Sequence, residues 1–451
     1  MKISRIIVAG TTSSVGKTLI TVAIIYGIKK AGYCVQPFKV GPDYIDPSYL
    51  SAVSARDARN LDPWLMGQKE VVESFLRNSD SCFSVIEGVM GFYDGFSGDS
   101  NFSSTFHVAN LLKSPVILVL DASKSARSVA ATALGFMKFQ NNSRIAGFIL
   151  NKIGSKKHEE ICRRALKSLR LPIFGSIPKD FEFNLESRHL GLIPIKEQKL
   201  LQSKIRKIGS TISEFLNIDK IIQISSSALP LSKVSSQKFV KQKITIAVAL
   251  DNSFNFYYTD NLDTLRRYGA RIKFFSPLHD SKIPPCNGVY LGGGFPEILG
   301  KPLEKNQNMK KNILKLAEEG FPIYAECGGL MYLTKSIRQD SNKFKMVGLY
   351  DAETRMQKKL TLSYTKGEVT HDCIISNVGK TVRGHEFHYS DLDSVSKDSK
   401  FAYRLSMGKG VKGRKDGLME YNVLASYMHL HFARPAFAKQ FVRSCVRHSR
   451  R

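Results

Sequence analysis

Short apolar runs alternate with helix-length segments along the first half of the chain, and this alternation restricts the fold more than any other feature. Helical patterns such as residues 17–30 and 124–139 lie between the runs. The runs that we predict as strands are residues 5–9, 35–39, 83–87, 116–120, 145–151 and 172–176. Buried strands that alternate with helices form a parallel sheet with helices on both faces. The first half is therefore predicted to be an α/β domain.

A second series of the same kind follows a polar segment. Residues 226–242 are rich in Ser and Lys and have no apolar period, so we predict a linker there between domains of residues 1–225 and 243–451. The strands that we predict next are residues 244–250, 271–275, 288–291 and 321–325. A helical pattern follows the first of them and runs to residue 267, and a second helix is predicted at residues 307–319. From Leu360 the pattern alternates more strictly, as in antiparallel strands. We predict two α/β domains, the second with an antiparallel extension.

Composition excludes several classes of protein. The 451 residues are enough for two domains that each bury a core, and no run of about 18 apolar residues predicts a membrane span. The N-terminal segment becomes polar after a short apolar run, which indicates a strand and not a signal peptide. None of the seven cysteines forms a Cys-x-x-Cys pair. This favours reduced thiols in the cytoplasm over a disulfide framework or a zinc site.

The net charge of +28 is spread along the chain. Only the tail RSCVRHSRR concentrates basic residues, and no basic block is interleaved with aromatic residues. Net charge bears on attraction to polyanions and not on the fold. A small anionic substrate or a lineage of basic proteins explains the charge, so we expect no nucleic-acid partner.

The N-terminal segment RIIVAGTTSSVGKTLITVAIIYG reads as a strand, a turn of small residues, Gly-Lys-Thr and a helix. Such a turn presents backbone N–H groups to phosphate oxygens, and the helix adds its positive N-terminal end. One residue more than usual separates the glycines, so Thr11 holds the usual place of the first glycine. Lys17 is predicted to reach the outer phosphates and Thr18 to bind Mg²⁺. The predicted ATP-binding residues are Thr11, Thr12, Ser13, Ser14, Val15, Gly16, Lys17 and Thr18.

Acidic residues follow the second and third of these strands. The segment KVGPDYIDP contains Asp43 and Asp46, and the segment VIEGVMGFYDG contains Glu87 and Asp94. These positions lie at the carboxyl ends of parallel strands, where open α/β folds bind ligands. Carboxylates beside a triphosphate are unfavourable unless a cation lies between them, and Mg²⁺ prefers oxygen ligands. We therefore predict a Mg²⁺ site formed by Thr18, Asp43 and Glu87.

The second domain contains a cysteine on a predicted strand-to-helix turn. In GFPIYAECGGLMYL an apolar strand precedes Cys327 and Gly328, and an apolar helical stretch follows them. A nucleophile on such a turn projects from the sheet, and the helix end favours its thiolate. The upstream glycine loop LGGGFPE ends another predicted strand and contains Gly293. We predict that backbone N–H groups of Gly293 and Gly328 form an oxyanion hole.

Two histidines complete this predicted centre. His429 and His431 occupy alternate positions in SYMHLHF, and a strand would direct both to the same face. A Cys–His pair performs acyl transfer, in which the thiolate attacks an amide and water hydrolyses the thioester. The sequence thus predicts an amide-cleaving centre in which either histidine is the partner of Cys327.

The ordered set of motifs resembles the cobyrinic acid a,c-diamide synthases, the glutamine-hydrolysing amidases of the anaerobic cobalamin pathway. The resemblance covers nearly the whole chain in family order. Its motifs are the phosphate loop, GPDYIDP, EGVMGFYDG, RHLGLIP, LGGGFPE, AECGGLMYL, RGHEFHYS and SYMHLHF. The resemblance implies a P-loop, parallel-sheet ATP-binding domain similar to dethiobiotin synthetase, followed by an α/β domain similar to class I glutamine amidotransferases.

The resemblance also implies a reaction and its participants. ATP with Mg²⁺ would convert carboxylates of cobyrinate to acyl phosphates, and ammonia released from L-glutamine at Cys327 would displace the phosphate. The family's usual His-x-Glu is here His429-Leu430-His431, which implies a dyad of Cys327 and His429 with no glutamate at the third place. The residues that the resemblance places near the bound tetrapyrrole are Tyr44, Asp46 and Asp94.

Three alternatives stay open at the level of sequence. The same diamidation of hydrogenobyrinate or nickel-sirohydrochlorin would use the same motifs. A cobyric acid synthase, which adds four later amides, is less favoured by the forms GPDYIDP and RGHEFHYS. A partition-type or nucleic-acid-binding ATPase is disfavoured by the set of cysteine, glycine loop and histidine. The sequence does not indicate an oligomeric state.

Overall fold

The computed structural model describes residues 1–79, 81–179, 199–232 and 240–449. The described chain divides into two units, the first ending at residue 232 and the second starting at residue 240. The motif RHLGLIP, at residues 188–194, and part of the predicted linker lie outside the described residues. No helix in the described ranges has the length and apolar character needed to cross a membrane.

The first unit alternates strands and helices as predicted. Its strands are β1 (Arg5–Gly10), β2 (Val35–Val40), β3 (Arg59–Leu61), β4 (Phe83–Glu87), β5 (Val116–Asp121), β6 (Ile145–Ile153) and β7 (Ile173–Pro178). Its helices are α1 (Lys17–Lys30), α2 (Asp46–Ser54), α3 (Gln68–Asn78), α4 (Thr105–Leu111), α5 (Ser128–Lys138), α6 (Lys156–Lys167), α7 (Lys199–Ser213) and α8 (Ile218–Ser225). The helix predicted from residue 124 begins only at Ser128, because the Ser125 N–H donates to Ala122 in a turn first.

All paired strands of the first unit are parallel, in the order β3-β2-β4-β1-β5-β6-β7. Helix α1 is apolar on several faces because it packs against both the sheet and α7. Strand β1 lies between β4 and β5, where the chain crosses from one half of the sheet to the other. A parallel sheet opens a crevice at such a crossing point, beyond the carboxyl ends of its strands. The turn after β1 therefore lies at the position that binds ligands in this class of fold.

The second unit contains one mixed sheet with a parallel part and a longer, mainly antiparallel part. Its strands are β8 (Ile244–Ala249), β9 (Ala270–Phe275), β10 (Gly288–Leu291), β11 (Ile323–Glu326), β12 (Thr334–Gln339), β13 (Asn342–Lys345), β14 (Tyr350–Val369), β15 (Thr381–Asp393), β16 (Lys400–Met407), β17 (Lys415–Glu420), β18 (Val423–Ser426) and β19 (His429–Leu430). Its helices are α9 (Thr259–Arg267), α10 (Gly300–Lys305), α11 (Gln307–Glu318), α12 (Gly328–Leu333) and α13 (Ala436–His448).

Strands β18, β11, β10, β8 and β9 are parallel neighbours in that order. Strand β17 pairs with β18 in the antiparallel direction and continues the sheet through β16 and β14. Strand β15 pairs with both β14 and β19. The antiparallel strands thus approach the carboxyl end of β11, where Cys327 follows. The predicted fold class, two α/β domains with an antiparallel extension in the second, is confirmed.

Part of the predicted linker packs on the first unit. Leu231 is buried, and its backbone N–H and carbonyl both hydrogen-bond to Met1, at 3.0 and 2.6 Å. The Leu229 carbonyl accepts a hydrogen bond from Arg5. The chain therefore runs back along the beginning of β1 before it leaves this unit.

Two of the seven cysteines form a disulfide, so the expectation of seven reduced thiols was wrong for Cys34 and Cys82. These residues directly precede β2 and β4, which are neighbours in the sheet. Val35 pairs with Phe83 across the two strands, and the Phe83 N–H donates to the Cys34 carbonyl at 2.9 Å. Their separation of 48 residues conceals the pairing from any search for local cysteine motifs. The free cysteines are Cys162, Cys286, Cys327, Cys373 and Cys445.

A buried arginine joins three segments of the first unit. The side chain of Arg5 is fully buried, and burial lowers the pKa of its guanidinium to about 10. Its Nε donates to the Leu112 carbonyl at 2.7 Å, and Nη2 donates to the carbonyls of Lys113 and Leu229. Arg5 therefore links β1 to the end of α4 and to the segment after α8.

Replacing Arg5 is expected to destabilise the first unit. Arg5→Met would leave the buried carbonyls of Ile3 and Leu112 without this donor, which should lower the free energy of unfolding by about 3 kcal/mol. Trp64 is the one tryptophan in the sequence and is buried in this unit, so its fluorescence during urea denaturation reports on this unit. The partly exposed Arg77 provides the control, and Arg77→Met should cost less than about 1 kcal/mol. Equal denaturation midpoints for the two variants would contradict this role of Arg5.

Candidate functional site

The predicted phosphate loop connects β1 to α1. Gly16 lies at the N-terminus of α1 with φ 94°, in the left-handed region that favours glycine. A Cβ atom there would lie only 2.4 Å from Nδ2 of Asn151, and this amide donates to the Val15 carbonyl at 2.9 Å. Thr12, Ser13 and Ser14 are exposed. Asn151 thus holds the loop in place, and the small residues of the loop face outward. No sequence motif indicated this role of Asn151.

Lys17 folds back over this loop. Its Nζ donates to the carbonyls of Thr12, at 3.0 Å, and Met90, at 2.6 Å. Burial and the neighbouring Lys39 lower the pKa of Lys17 to about 8. A protonated amine at this point, satisfied only by neutral carbonyls, is suited to bind phosphate oxygens.

A buried lysine organises the carboxylates beside the loop. Nζ of Lys39 lies 2.9 Å from Oε1 of Glu87 and 2.6 Å from Oδ2 of Asp46. Thr18 Oγ1 donates to the same Glu87 oxygen at 2.7 Å. Burial alone would lower the pKa of Lys39, but the two carboxylates outweigh it and raise the pKa, so this cation stays protonated. Lys39 begins the motif KVGPDYIDP, and its role follows only from these contacts.

The two acidic partners of Lys39 differ in their protonation. Burial raises the pKa of Glu87 to about 7, although Lys39 and the Thr18 hydroxyl act in the opposite direction. Burial would also raise the pKa of Asp46, but Lys39 and a hydrogen bond with Asp43 outweigh it and lower the pKa to about 2. Burial thus dominates at Glu87, whereas the attraction of Lys39 dominates at Asp46.

The remaining predicted residues of this site lie close by but have other partners. The carboxylate of Asp43 accepts the backbone N–H of Ile45, at 2.8 Å, and of Asp46, at 3.4 Å, which closes the turn before α2. Tyr44, in the same turn, is half-buried. Asp94 is exposed, and its Oδ2 accepts the Gly91 N–H at 2.9 Å. Asp46, and not Asp43, is thus the aspartate that shares Lys39 with Glu87.

The residues present fit a Mg²⁺ ion that is bound together with a nucleotide. Oε2 of Glu87 is buried and has no hydrogen-bond partner among the described residues, and its Oε1 contacts the Thr18 hydroxyl. Within the described ranges no group of three or more His, Cys, Asp and Glu side chains is arranged to hold a metal by itself. Nucleotide-bound Mg²⁺ needs only one or two protein ligands, since phosphates and water supply the others.

In the second unit Cys327 lies on a strained turn between β11 and α12. Its φ is 47° with ψ −100°, a conformation that non-glycine residues rarely adopt. The turn is held by the Cys327 N–H, which donates to the Ser426 carbonyl at 2.7 Å, and by its carbonyl, which accepts the Met331 N–H at 2.9 Å. Sγ lies 3.6 Å from the Phe387 carbonyl. This geometry is the predicted nucleophile turn.

The thiol of Cys327 is neutral in this environment. Burial raises its pKa well above the ordinary value, and the nearby carboxylates of Glu297, Glu326 and Glu386 add to the shift. The Gly328 N–H acts in the opposite direction but is outweighed. The expectation that the helix end favours the thiolate was therefore wrong. The helix has only six residues, and burial raises the pKa of the thiol by more than the helix end lowers it. Such a thiol needs a base that removes its proton as it attacks.

The glycine loop passes directly against this turn. A Cβ on Gly328 would lie 2.9 Å from the backbone N of Gly294, and the Gly329 N–H donates to the Gly292 carbonyl at 3.0 Å. A Cβ on Gly293 would lie 2.5 Å from Cε1 of His429, so only glycine permits this approach. The structure thus brings together Cys327, His429 and the two glycines that we predicted to form an oxyanion hole.

The two candidate histidines have different surroundings. Strand β19 contains only His429 and Leu430, so the predicted strand does not extend to His431. The ring of His429 stacks on that of His385, with centroids 5.0 Å apart. His431 lies with its ring 4.7 Å from the ring of Tyr258, and its Nδ1 accepts the Ala433 N–H at 3.1 Å. Only His429 is thus placed against the glycine loop.

A carboxylate that the sequence analysis did not assign lies beside His429. Oε2 of Glu326, the residue directly before Cys327, lies 3.6 Å from Nδ1 of His429, and both side chains are buried. The usual His-x-Glu motif predicts an acid only at the position two residues after the histidine. The strand pairing of β11 with β18 gives the spatial signal, because it places the end of β11 next to the segment that leads to β19.

Comparison with known proteins agrees with both halves of this description. Residues 6–193 match the family profile of the CobQ/CobB/MinD/ParA nucleotide binding domain. Residues 245–437 match that of the CobB/CobQ-like glutamine amidotransferase domain. The resemblance that the motifs carry is therefore confirmed.

Curated relatives match along nearly the full length of the chain. A protein of Dehalococcoides mccartyi named cobyrinate a,c-diamide synthase is 42% identical over 98% of this chain and 98% of its own. Proteins with the same name from Picrophilus torridus and Methanosarcina acetivorans are 41% identical, over 99% of both chains, and 37% identical, over 95% of this chain and 92% of the relative. The chain thus belongs to the family of cobyrinate a,c-diamide synthases.

Proposed function

We propose that the protein uses ATP and L-glutamine to amidate the a and c acetate carboxylates of cobyrinate through acyl-phosphate intermediates, in cobalamin biosynthesis. The observation that supports this most is the presence of two complementary centres in one chain. A phosphate loop with Lys17 and Glu87 is suited to activate a carboxylate, and Cys327 and His429, which are joined through the glycine loop, are suited to release ammonia.

The first centre would overcome the poor reactivity of a carboxylate. A carboxylate repels nucleophiles and has no good leaving group, whereas transfer of the γ-phosphoryl group of ATP gives it a phosphate that ammonia can displace. Lys17 would stabilise the negative charge on the transferring phosphoryl group. When bound, Mg²⁺ supplies further neutralisation of the phosphates, and Thr18 and Glu87 are the residues that would hold it.

Lys39 would keep this centre from repelling its own substrates. Asp46 and Glu87 place two carboxylates beside the loop, and the buried ammonium of Lys39 compensates for them. Tyr44 and Asp94 lie on the turns after β2 and β4, and Asp46 begins α2, all at the carboxyl edge of the sheet. We propose this edge as the place where the tetrapyrrole carboxylate meets the nucleotide, with Asp43 shaping the turn that carries Tyr44.

The second centre would generate ammonia without exposing a free thiolate. His429 would take the thiol proton as sulfur attacks the glutamine carboxamide, and backbone N–H groups of Gly328 and the glycine loop would stabilise the oxyanion. Burial raises the pKa of the Cys327 thiol, which favours its protonated and less nucleophilic form, so the proton must be removed as sulfur attacks.

The first experiment determines which tetrapyrrole is the substrate. Purified protein with ATP, Mg²⁺ and glutamine is expected to convert cobyrinate to a diamide, which mass spectrometry detects as two replacements of OH by NH₂. Nickel-sirohydrochlorin and hydrogenobyrinate provide the parallel reactions. Faster diamidation of either one would replace cobyrinate as the substrate, and ATP consumption without glutamate release on any macrocycle would contradict an amidase function altogether.

Removing the thiol is expected to abolish only the use of glutamine. Cys327→Ala should lower glutamine-dependent amidation about a thousandfold or more, because no thioester can form. Amidation with an added ammonium salt at alkaline pH should remain, since the other centre is unchanged. Cys286→Ala, a free cysteine of the same unit, is the control. Loss of both activities in Cys327→Ala would argue against two separate centres.

Removing the loop lysine is expected to abolish synthesis with either nitrogen donor. Lys17→Ala should lower amidation about a hundredfold or more with glutamine and with ammonium alike, because phosphoryl transfer loses its charge stabilisation. Lys30→Ala, at the exposed end of the same helix α1, should retain activity. Ammonium-dependent synthesis by Lys17→Ala at the rate of the unmodified protein would refute the role of Lys17.

A further inference from the structure

A buried carboxylate lies where the imidazole of His429 needs one, although the usual chain position holds none. That position, two residues after the histidine, is His431. Oε2 of Glu326 lies instead 3.6 Å from Nδ1 of His429, with the two side chains 1% and 0% exposed. We propose that Glu326 is a positioning residue that orients His429 and stabilises its protonated ring. This inference rests on the proposed hydrolysis of glutamine at Cys327.

Groups other than the imidazole hold the carboxylate of Glu326 in place. Its Oε1 accepts the Tyr324 hydroxyl at 2.6 Å and the backbone N–H of Leu430 at 3.0 Å, and Oε2 accepts the Tyr290 hydroxyl at 3.0 Å. Burial and the charge of Glu326 raise the pKa of both tyrosines, so they remain hydrogen-bond donors. Three donors compensate for the burial of one carboxylate, as a stable buried charge requires.

The contact to Leu430 couples the acid to the histidine through the backbone. Leu430 is the residue after His429, and the pair forms strand β19. One carboxylate therefore holds both the backbone beside His429 and the Nδ1 edge of its ring. Glu326 is also the residue before Cys327, so a single residue relates the position of the base to that of the nucleophile.

The other groups around the imidazole are not suited to this role. His385 presents the face of its ring to His429, with an angle of 25° between the ring planes, and its Nδ1 lies 3.2 Å from the Tyr258 hydroxyl. Burial and the neighbouring histidines lower the pKa of His385 well below its ordinary value, so it carries no positive charge to compete with His429. Glu386 directs both carboxylate oxygens to the backbone N–H groups of Lys409 and Gly410.

The remaining edge of His429 is directed toward the reaction. A Cβ on Gly293 would lie 2.5 Å from Cε1 and 3.4 Å from Nε2, so this edge faces the glycine loop. With the carboxylate at Nδ1, the proton of the neutral ring stays on Nδ1, and Nε2 is left as the base. Nε2 takes the thiol proton as sulfur bonds to the carboxamide carbon, and then gives it to the nitrogen as the C–N bond breaks. Ammonia leaves a thioester, and water cleaves it to glutamate by the same proton route.

The sharpest test changes the charge of Glu326 and little else. Glu326→Gln keeps the size of the side chain, but its amide can donate to Nδ1 and thereby favours the ring form in which Nε2 carries the proton. Glutaminase kcat is expected to fall between about a hundredfold and ten-thousandfold, with KM for glutamine changed by less than about threefold. Amidation with ammonium should continue at the rate of the unmodified protein and thus reports an intact fold.

Two further variants separate positioning from structural support. Glu326→Asp keeps the charge, and should recover about tenfold or more of the kcat lost in Glu326→Gln. Asn261→Ala is the structural control, because Asn261 holds the same segment through neutral hydrogen bonds to the Leu430 carbonyl, at 2.8 Å, and the Phe432 N–H, at 2.6 Å. This control should not lower glutaminase kcat selectively.

The outcomes distinguish this inference from the proposed function on which it rests. If the unmodified protein releases no glutamate from glutamine, the proposed function fails. If it does, and Glu326→Gln has the same kcat, or Glu326→Asp is no better than Glu326→Gln, or Asn261→Ala shows the same selective loss, the role of Glu326 is overturned. If Glu326→Gln does not fold, Glu326→Asp decides alone: an unchanged kcat at its longer distance would contradict the inference.

Discussion

The burial of ionised side chains at the carboxyl ends of parallel strands is the constraint on which both centres of this protein depend. A charge in such a place is stable only when its partners are fixed around it. Glu326 is the last residue of β11, and its carboxylate accepts three hydrogen bonds. The next residue is the proposed nucleophile, Cys327. The same backbone turn that buries the acid therefore raises Cys327 from the sheet. The conformational strain at Cys327 is balanced by the packing that holds Glu326.

In the first unit the central buried charge is positive instead of negative. Lys39 is a buried ammonium on β2, and its partners are Asp46, which begins the helix after β2, and Glu87, the last residue of β4. Because these strands are adjacent and parallel, their carboxyl ends present the three side chains to one another. The result is a nearly neutral cluster beside the phosphate loop. Lys17, held by neutral carbonyls, remains the cation that faces the loop.

Much of this organisation could be predicted from the sequence. Strand β4 and helix α1 have the predicted bounds, because apolar runs and helical periods are local signals. The glycine loop, Cys327 and the phosphate loop carry their signal in short segments whose residue types suit only a few backbone conformations. Where prediction failed, the reason was a partner distant in the chain. Cys34 meets Cys82 through strand pairing, and burial reverses the thiolate preference that the helix end alone suggests for Cys327.

The sequence by itself determined that the chain forms two α/β domains with a phosphate loop in one and a cysteine turn in the other, since these follow from local periodicity and from conformational limits on single residues. Only the tertiary structure decided which carboxylate lies beside the imidazole of His429. Glu326 and His429 are separated by more than a hundred positions, and the adjacency of β11 and β18 in the sheet brings them to the same point. Pairing between strands is set by the packing of the whole sheet, and no local segment of the chain contains that information.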